Sequence, residues 1–351
     1  MADVTLAASN AAMSPSRRSA LWLGAFALLL LGAMLGGLAV GRLPIPLGTV
    51  TGILLKDILA IEPFWKVLDE RIVLLVRAPR VVIAAMSGAA LAVGGAALQG
   101  IFRNPLVSPQ ILGISSGAAF GGCLAILAGY SGAALVGSAF VFGVAALVCV
   151  GMIARIDGRT ETATIVLAGI IVGALFSALV SLVQFFADPN SSLPAIVGWL
   201  MGSFATATWA RVGLTAPAIA IAVIGTIVLR FRVNVLSLGD DEARSFGVKV
   251  ERDRWVFFIL VALGTGGVVS VAGAVGWVGL VVPHAARMLV GPDHRVLIPA
   301  SALLGASYLV VIDTLARTLT AAEIPLSVLT AIIGAPVFAI LLRSTWRGQR
   351  A

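Results

Sequence analysis

Long apolar stretches separated by short polar interruptions set the pattern of this 351-residue chain. Runs of about 20 apolar residues recur along it, the length at which a helix crosses a hydrocarbon core. The strict alternation that marks strands of a membrane barrel does not occur. The pattern predicts an all-α polytopic membrane protein with about ten transmembrane helices. The expected crossings are 20–41, 81–102, 110–128, 133–154, 163–187, 211–229, 255–271, 274–290, 297–316 and 327–343. Pro44 and Pro46 break the chain after the first crossing, and Thr49 to Leu59 reads as an interfacial helix. Arg155, Asp157, Arg159 and Glu161 make a polar hairpin after the fourth. Leu193 to Phe204 reads as a short helix outside the bundle. Residues 1–19 are then a polar tail, and 20–351 a single transmembrane domain. Arg17 and Arg18 precede an apolar run, Leu21 to Val40, that is long for a signal peptide and has no small-residue cleavage site after it. It reads as an uncleaved first span.

One polar island interrupts this rhythm, from Arg230 to Arg254, in a chain that is only 11% charged. Such a segment must lie in water. Within it Asp240, Asp241 and Glu242 follow Gly239, so acids fill a first helical turn, where the helix dipole favours them. Ala243, Phe246 and Val250 recur at helical spacing as a narrow apolar face, and Gly247 is placed to stop the helix. A helix of about two turns is too short to persist alone in water. It must rest on its own protein or on a partner.

Composition and charge narrow the function. The chain is 60% hydrophobic with Gly 39, and small residues suit closely packed membrane helices. The net charge of +8 needs no nucleic acid to explain it. Ten crossings put both termini on one side, and that side collects Arg17, Arg18, Arg103, Arg155, Arg159, the basic residues of the island, Arg287, Arg295, Arg343, Arg347 and Arg350. Fewer basic residues fall opposite: Arg42, Lys56, Lys66, Arg71, Arg77, Arg80, Arg211 and Arg317. The bias makes the first side cytoplasmic, and the island with it. Cys123 and Cys149 lie in apolar runs and suggest neither a disulfide framework nor a metal site.

Reactive groups are scarce. His284 and His294 are the only histidines, with no thiol or carboxylate cluster to complete a metal or catalytic site. Of Lys56, Lys66 and Lys249, none stands in a Gly-Lys-Ser/Thr loop, so ATP is not bound through a Walker motif. Asp313 is the one acid deep in a span, with Arg317 four residues on, which reads as a local ion pair. Gln99 and Gln184 read as interhelical hydrogen-bonding groups. A proton-coupled carrier would need a carboxylate such as Asp313 as its coupling site, and a membrane enzyme would need a reactive cluster. A bundle without its own energy source, carrying a docking helix in water, points instead to a pore-forming subunit driven by another polypeptide.

Three runs sharpen this reading. They are GAALAVGGAALQGIFRNPLVSPQILGISSGA with Arg77-Ala78-Pro79-Arg80 before it, LSLGDDEARSFGVKV, and VAGAVGWVGLVVPHAARMLVGPDHRVLIPASALLGAS continuing through Asp313 to EIPLSVLTAIIGAPVFAILL. In this order they resemble the FecCD-type permeases of bacterial ABC importers, the family of ferric-siderophore, haem and cobalamin permeases. The resemblance covers nearly everything after residue 40. It implies a ten-span bundle like that of the cobalamin permeases, in the inner membrane. It also implies a second permease copy, a cytoplasmic ABC ATPase dimer that binds ATP and magnesium, and a periplasmic substrate-binding protein. No cofactor or catalytic residue is implied in this chain. The residues matching the family's coupling loop are Leu236, Leu238, Gly239, Asp240, Asp241, Glu242, Ala243, Arg244, Phe246 and Gly247. Those matching its docking arginines are Arg77, Arg80 and Arg317. The fifth span implies pathway lining by Gly169, Gly173, Ser177 and Ser181, although that spacing equally suits helix packing. The expected cargo is a ferric siderophore, with haem and cobalamin as alternatives.

Overall fold

The computed structural model describes residues 15–154 and 162–348. The polar hairpin expected at 155–161 and most of the N-terminal tail lie outside them. Fourteen helices follow one another among the described residues: α1 (Pro15–Ala39), α2 (Leu47–Leu59), α3 (Val67–Ile101), α4 (Ile114–Leu127), α5 (Gly132–Ala154), α6 (Thr162–Phe186), α7 (Ser192–Met201), α8 (Trp209–Val228), α9 (Arg230–Leu236), α10 (Asp240–Ser245), α11 (Val250–Ala272), α12 (Val278–Val290), α13 (His294–Thr318) and α14 (Leu326–Gly348). Seven of these are long and apolar enough to cross a membrane. The expected third, eighth and tenth crossings appear as shorter apolar helices, α4, α12 and the Leu326–Leu341 part of α14.

The shortening has local causes. Chain that the sequence assigned to the third span is instead a 3₁₀ turn, Pro109–Leu112, closed by Gly113 in the left-handed region. Before α12 the backbone leaves the helix at Gly273, whose φ of 72° and contact with the Trp199 carbonyl exclude a β-carbon. Ser203 N–H donates to Ala272 O at 2.9 Å across this opening. At 13 residues α12 is about 20 Å long, short of a full hydrocarbon core. The helix expected outside the bundle, α7, is instead seated on α4. Ile196 is buried, and the Trp199 ring fills the space that a side chain at Gly122 would take.

Two helices form the centre. α3 is buried along most of its length and packs mainly on α13. A β-carbon at Gly88 would lie 2.0 Å from the Gly305 carbonyl oxygen, and one at Gly305 would lie 2.4 Å from that of Gly88. The two backbones touch, which only glycine permits on both sides. Near its start α3 widens to a π turn over Ile72–Arg77. Pro79, just beyond, has no N–H to offer the preceding turn, and a widened turn absorbs that loss. Trp209 Nε1 donates to the Leu74 carbonyl from α8 at 2.8 Å. Around this pair, α4 packs on α5, and α11 on α8 and α5. α6 leaves Leu167, Ile170, Ile171, Leu175, Phe185 and Phe186 on an uncovered apolar face.

Candidate functional site

Two charged regions lie at opposite ends of α3. At one end Gly100 abuts Val233 of α9 and His294 of α13; at the other stand Arg77 and Arg80.

The island folds as two short helices. α9 leads into a turn, Gly239 adopts a φ of 134°, and α10 follows with Asp240, Asp241 and Glu242 in its first turn, as the sequence indicates. α10 is six residues long, and Gly247 (φ 76°) reverses the chain after it. That reversal splits the expected apolar face. Ala243 and Val250 are buried beside Val233, Leu236 and the end of α3, whereas Phe246 is 69% exposed. Leu238 is 53% exposed on the same surface. Ionic contacts brace the fold. Arg254, buried in α11, donates to Asp240 at 2.5 Å. Asp253, also buried, receives Arg232 Nη1 on both oxygens at 2.8 Å and Arg252 Nε at 3.2 Å. Arg244 donates to Asp241 at 2.9 Å on the outside, where such a pair adds little. A groove of about 510 Å³ opens beside α10, with Phe231, Val235, Leu238, Phe246, Lys249 and Arg252 among its walls. The short helix is therefore anchored on one side, while Leu238 before it and Phe246 after it stay exposed. Ala243 and Val250 thus rest on the chain itself, whereas Leu238 and Phe246 do not.

The opposite face gathers Arg77, Arg80 and Arg317, and all three are buried (4, 8 and 7% exposed). Arg77 Nη1 donates to the Leu38 and Ala39 carbonyls at 2.7 and 2.9 Å, and Nη2 to Leu43 at 2.5 Å. Arg317 Nη2 donates to the Gly37 carbonyl. Together they bind carbonyls at and just beyond the C-terminus of α1, where cations are favoured; Ala39 O also accepts from the Ile45 N–H. Neither Arg77 nor Arg80 snorkels at a surface. The Arg80 fork holds two acids: Nε reaches both Asp313 oxygens at 3.0 and 2.9 Å, while Nη1 and Nη2 each reach a Glu323 oxygen at 2.9 Å. Asp313 thus finds its main partner on α3, not one turn along its own helix; Arg317 Nε is 3.8 Å away. Glu323 lies in the turn before α14. Burial would raise its pKa, but Arg80 outweighs burial and holds the carboxyl below its ordinary range. Sequence reasoning missed this residue, because 243 positions separate it from Arg80. The available signal was a lone acid in a turn on an arginine-rich face. A hollow of about 240 Å³ remains here, lined by Arg42, Arg77, Arg80, Arg317 and Glu323 among others.

The four candidate pathway residues of α6 do not share one environment. Gly169 is packed against the Ile111 carbonyl, where a β-carbon would lie at 2.1 Å, and Gly173 is close to Gly113. Ser177 and Ser181 are exposed, with Ser181 Oγ donating to the Ser177 carbonyl at 3.2 Å. Positions four apart drift by roughly 40° per step around a helix, so a row of four turns from packing to exposure. Gln99 bonds between helices as expected, with Nε2 donating to Leu280 O of α12 at 3.3 Å.

Comparison with known proteins now decides the family. The profile of the FecCD transport family matches residues 28–344. The chain belongs to the FecCD transport family. It is 40% identical over 336 residues to the molybdate import system permease protein MolB of Haemophilus influenzae, covering 96% of this chain and 99% of that protein. It is 41% identical over 271 residues to the cobalamin import system permease protein BtuC of Halobacterium salinarum, covering 76% and 72% of the two chains. To the hemin transport system permease protein HmuU of Yersinia pestis it is 39% identical over 274 residues, covering 76% and 81%. Among solved structures, a metal-chelate type ABC transporter in an inward-facing conformation superposes with a TM-score of 0.83 at 39% identity, covering 92% of this chain and 98% of that one. This FecCD-family chain is a multi-span permease of the ABC importer type, and its seven long crossings with the shorter apolar helices fit a bundle of about ten.

Proposed function

We infer that this chain is the membrane half of an ATP-driven importer, worked by a separate ABC ATPase dimer that grips α10. The observation that supports this most is the exposure of Leu238 and Phe246, which flank a short helix anchored from behind by Ala243 and by Arg254–Asp240. Two large exposed apolar side chains flanking a short braced helix suit insertion into a partner's cleft. In this reading Leu236, Gly239, Asp241, Glu242, Arg244 and Gly247 shape and flank the contact. The bundle lies in a bacterial inner membrane with both termini cytoplasmic, as the basic bias supports. A second permease copy covers the apolar face of α6, and Ser177 and Ser181 border the pathway between the copies, while Gly169 and Gly173 set its backbone spacing.

A periplasmic binding protein lands on the opposite face. The hollow there has four arginines against Glu323, a charge excess that suits acidic side chains. Arg77, Arg80 and Arg317 supply the field from beneath, and exposed Arg42 supplies direct contact.

For cargo, the relative matched over nearly its whole length imports molybdate by name, while relatives matched over about three quarters of this chain carry cobalamin or hemin. A metal-bearing cargo fits all of these, with molybdate placed first and a ferric siderophore second. Uptake of labelled molybdate, ferric siderophore, haem and cobalamin into cells lacking this chain, with and without its restored copy, tests the assignment. Uptake that survives loss of the ATPase would overturn the motor, and restored uptake of none of the four would overturn the cargo class.

A further inference from the structure

We propose that Gln110 is a cargo-contacting residue of the permease: a neutral amide held inside the bundle, where it meets the oxygens of a passing oxyanion. This rests on the importer reading above and names a residue of its pathway.

The chain between α3 and α4 folds back beside α3. Pro109 Cγ lies 3.5 Å from the place a β-carbon on Gly94 would take. Gly94 is about 10 Å inside the end of α3. The opening between α11 and α12 reaches the same level from the other side. A β-carbon at Gly279 would lie 2.7 Å from Pro109 Cδ, and one at Gly276 would lie 3.3 Å from Gln110 Nε2. Two stretches outside regular α-helix, Pro109–Leu112 and Gly273–Trp277, therefore meet within the bundle. Such backbone at membrane depth is tolerated where protein buries it or where it lines a water-filled cavity. Pro109 and Leu112 are buried, whereas Gln110 between them is exposed.

The amide of Gln110 has no partner. Its side chain makes no hydrogen bond among the described residues, although its main-chain carbonyl accepts from the Gly113 N–H at 3.2 Å. An unpaired primary amide is costly against lipid, so it faces water or a ligand. The neighbours put that water on the pathway side. The Ile111 carbonyl, one residue on, packs against Gly169 of α6, the helix assigned to the pathway. Past Gly276, Trp277 covers Gly334 of α14, where a β-carbon would lie 2.8 Å from the Trp277 Cβ. Gln110 thus stands between α6 and α14. Ser116, half-buried in the first turn of α4, continues the same wall toward Gly173 of α6.

The chemistry suits passage. An arginine would hold an oxyanion through charge-assisted bonds, about twice as strong as neutral ones. Glutamine offers two N–H donors and an acceptor oxygen without charge. It can replace part of the water around molybdate and then release it.

The first test needs neither cargo nor ATPase. The full chain carrying Cys123→Ala and Cys149→Ala is placed in lipid nanodiscs and treated with a charged, membrane-impermeant methanethiosulfonate. The reactive form of a thiol is the thiolate, so Gln110→Cys should react at least about tenfold faster than Ile259→Cys, at an exposed apolar position part-way along α11. A Gln110→Cys thiol that stays unmodified, or reacts no faster than Ile259→Cys, would overturn the site. The second test is uptake of labelled molybdate by the complete transporter with its native cysteines. Gln110→Glu sets a carboxylate against an oxyanion and should slow uptake about tenfold or more, Gln110→Leu should slow it less, and Gln110→Asn should keep most of it. All three should unfold at the parental temperature, because the position is exposed. Parental uptake in Gln110→Glu, or a loss of uptake that only follows a loss of stability, would overturn the contact. A parent that moves no molybdate would overturn the cargo assignment instead, and the thiol rates would still decide this site.

Discussion

Asp313→Asn separates a structural carboxylate from a proton-coupling one. The side chain is 1% exposed and takes Arg80 Nε on both oxygens at 3.0 and 2.9 Å. Asparagine keeps the shape and removes the charge, leaving two buried guanidiniums short of compensation. Removing one partner of a buried pair costs about 3–5 kcal/mol. Arg80 keeps Glu323 through two bonds of 2.9 Å, and Arg317 keeps the Gly37 carbonyl, so the lower end, about 3 kcal/mol, is expected. Denaturant unfolding of the purified chain, with ATP-driven uptake in proteoliposomes beside it, measures both consequences. The structural role predicts a destabilised protein whose surviving folded fraction still transports. A double-mutant cycle with Arg80→Gln should show strong coupling, because the second substitution removes the charge the first left unpaired. Parental stability together with abolished uptake would refute this reasoning and revive Asp313 as a coupling group.

Phe246→Asp should leave folding intact and uncouple ATP hydrolysis from uptake in the assembled transporter, which paired phosphate-release and uptake assays measure; normal uptake would remove the residue from the motor contact. Arg42→Glu should weaken association with the loaded binding protein and flatten its salt dependence, read by surface plasmon resonance, whereas reversals at buried Arg77 or Arg80 should chiefly destabilise the chain. The Glu323 carboxyl is held below its ordinary value of 4.5, so its stabilising contribution is complete above that pH and is lost as the pH falls through the lowered value. Glu323→Gln should accordingly be less stable than the parent at neutral pH, with the gap closing in acid, as unfolding midpoints across pH would show. Gly88→Ala should cost about 1–3 kcal/mol by forcing α3 from α13, while Gly24→Ala, inside α1 with open space around it, should cost nothing and gain up to about 1 kcal/mol in the same unfolding assay.

Most of the bundle was legible in the chain because membrane crossings are written in local composition. The acids of α10 and the glycines around it were likewise readable, since dipole and left-handed backbone preferences act within a few residues. The misses share one cause, which is contact between distant segments. Helical spacing paired Asp313 with Arg317, but a long guanidinium from α3 reached it with better geometry. The same spacing put Ala243, Phe246 and Val250 on one face, and the turn at Gly247 undid it. The stretch from Leu193 to Phe204 reads as a short helix outside the bundle, yet Gly122 on another helix makes the slot for Trp199. Arg77 looked like a surface cation until carbonyls at and just beyond the end of α1 supplied partners for it.

α13 ties the two charged ends together. Its first residues are held to α9 by Asn234, through Asp293 and His294, and its last turns are held to α3 by Arg80–Asp313. Between these ties the Gly88–Gly305 contact leaves no slack for sliding, since backbone meets backbone. α3 and α13 must then move as one body, and any pull on α9 acts on that whole body. Relative motion belongs to segments without such ties. The stretch from Gly273 to Trp277 fits, where the backbone leaves the helix and Trp277 holds a φ of 67° before the short α12 begins. A hinge concentrates at a few element-terminal residues that absorb dihedral change. α12 shares the α3–α13 body, because a β-carbon at Gly95 of α3 would lie 1.8 Å from the Gly279 carbonyl oxygen of α12 and Gln99 donates to Leu280, so the bend at 273–277 separates α11 from a block of α3, α12 and α13.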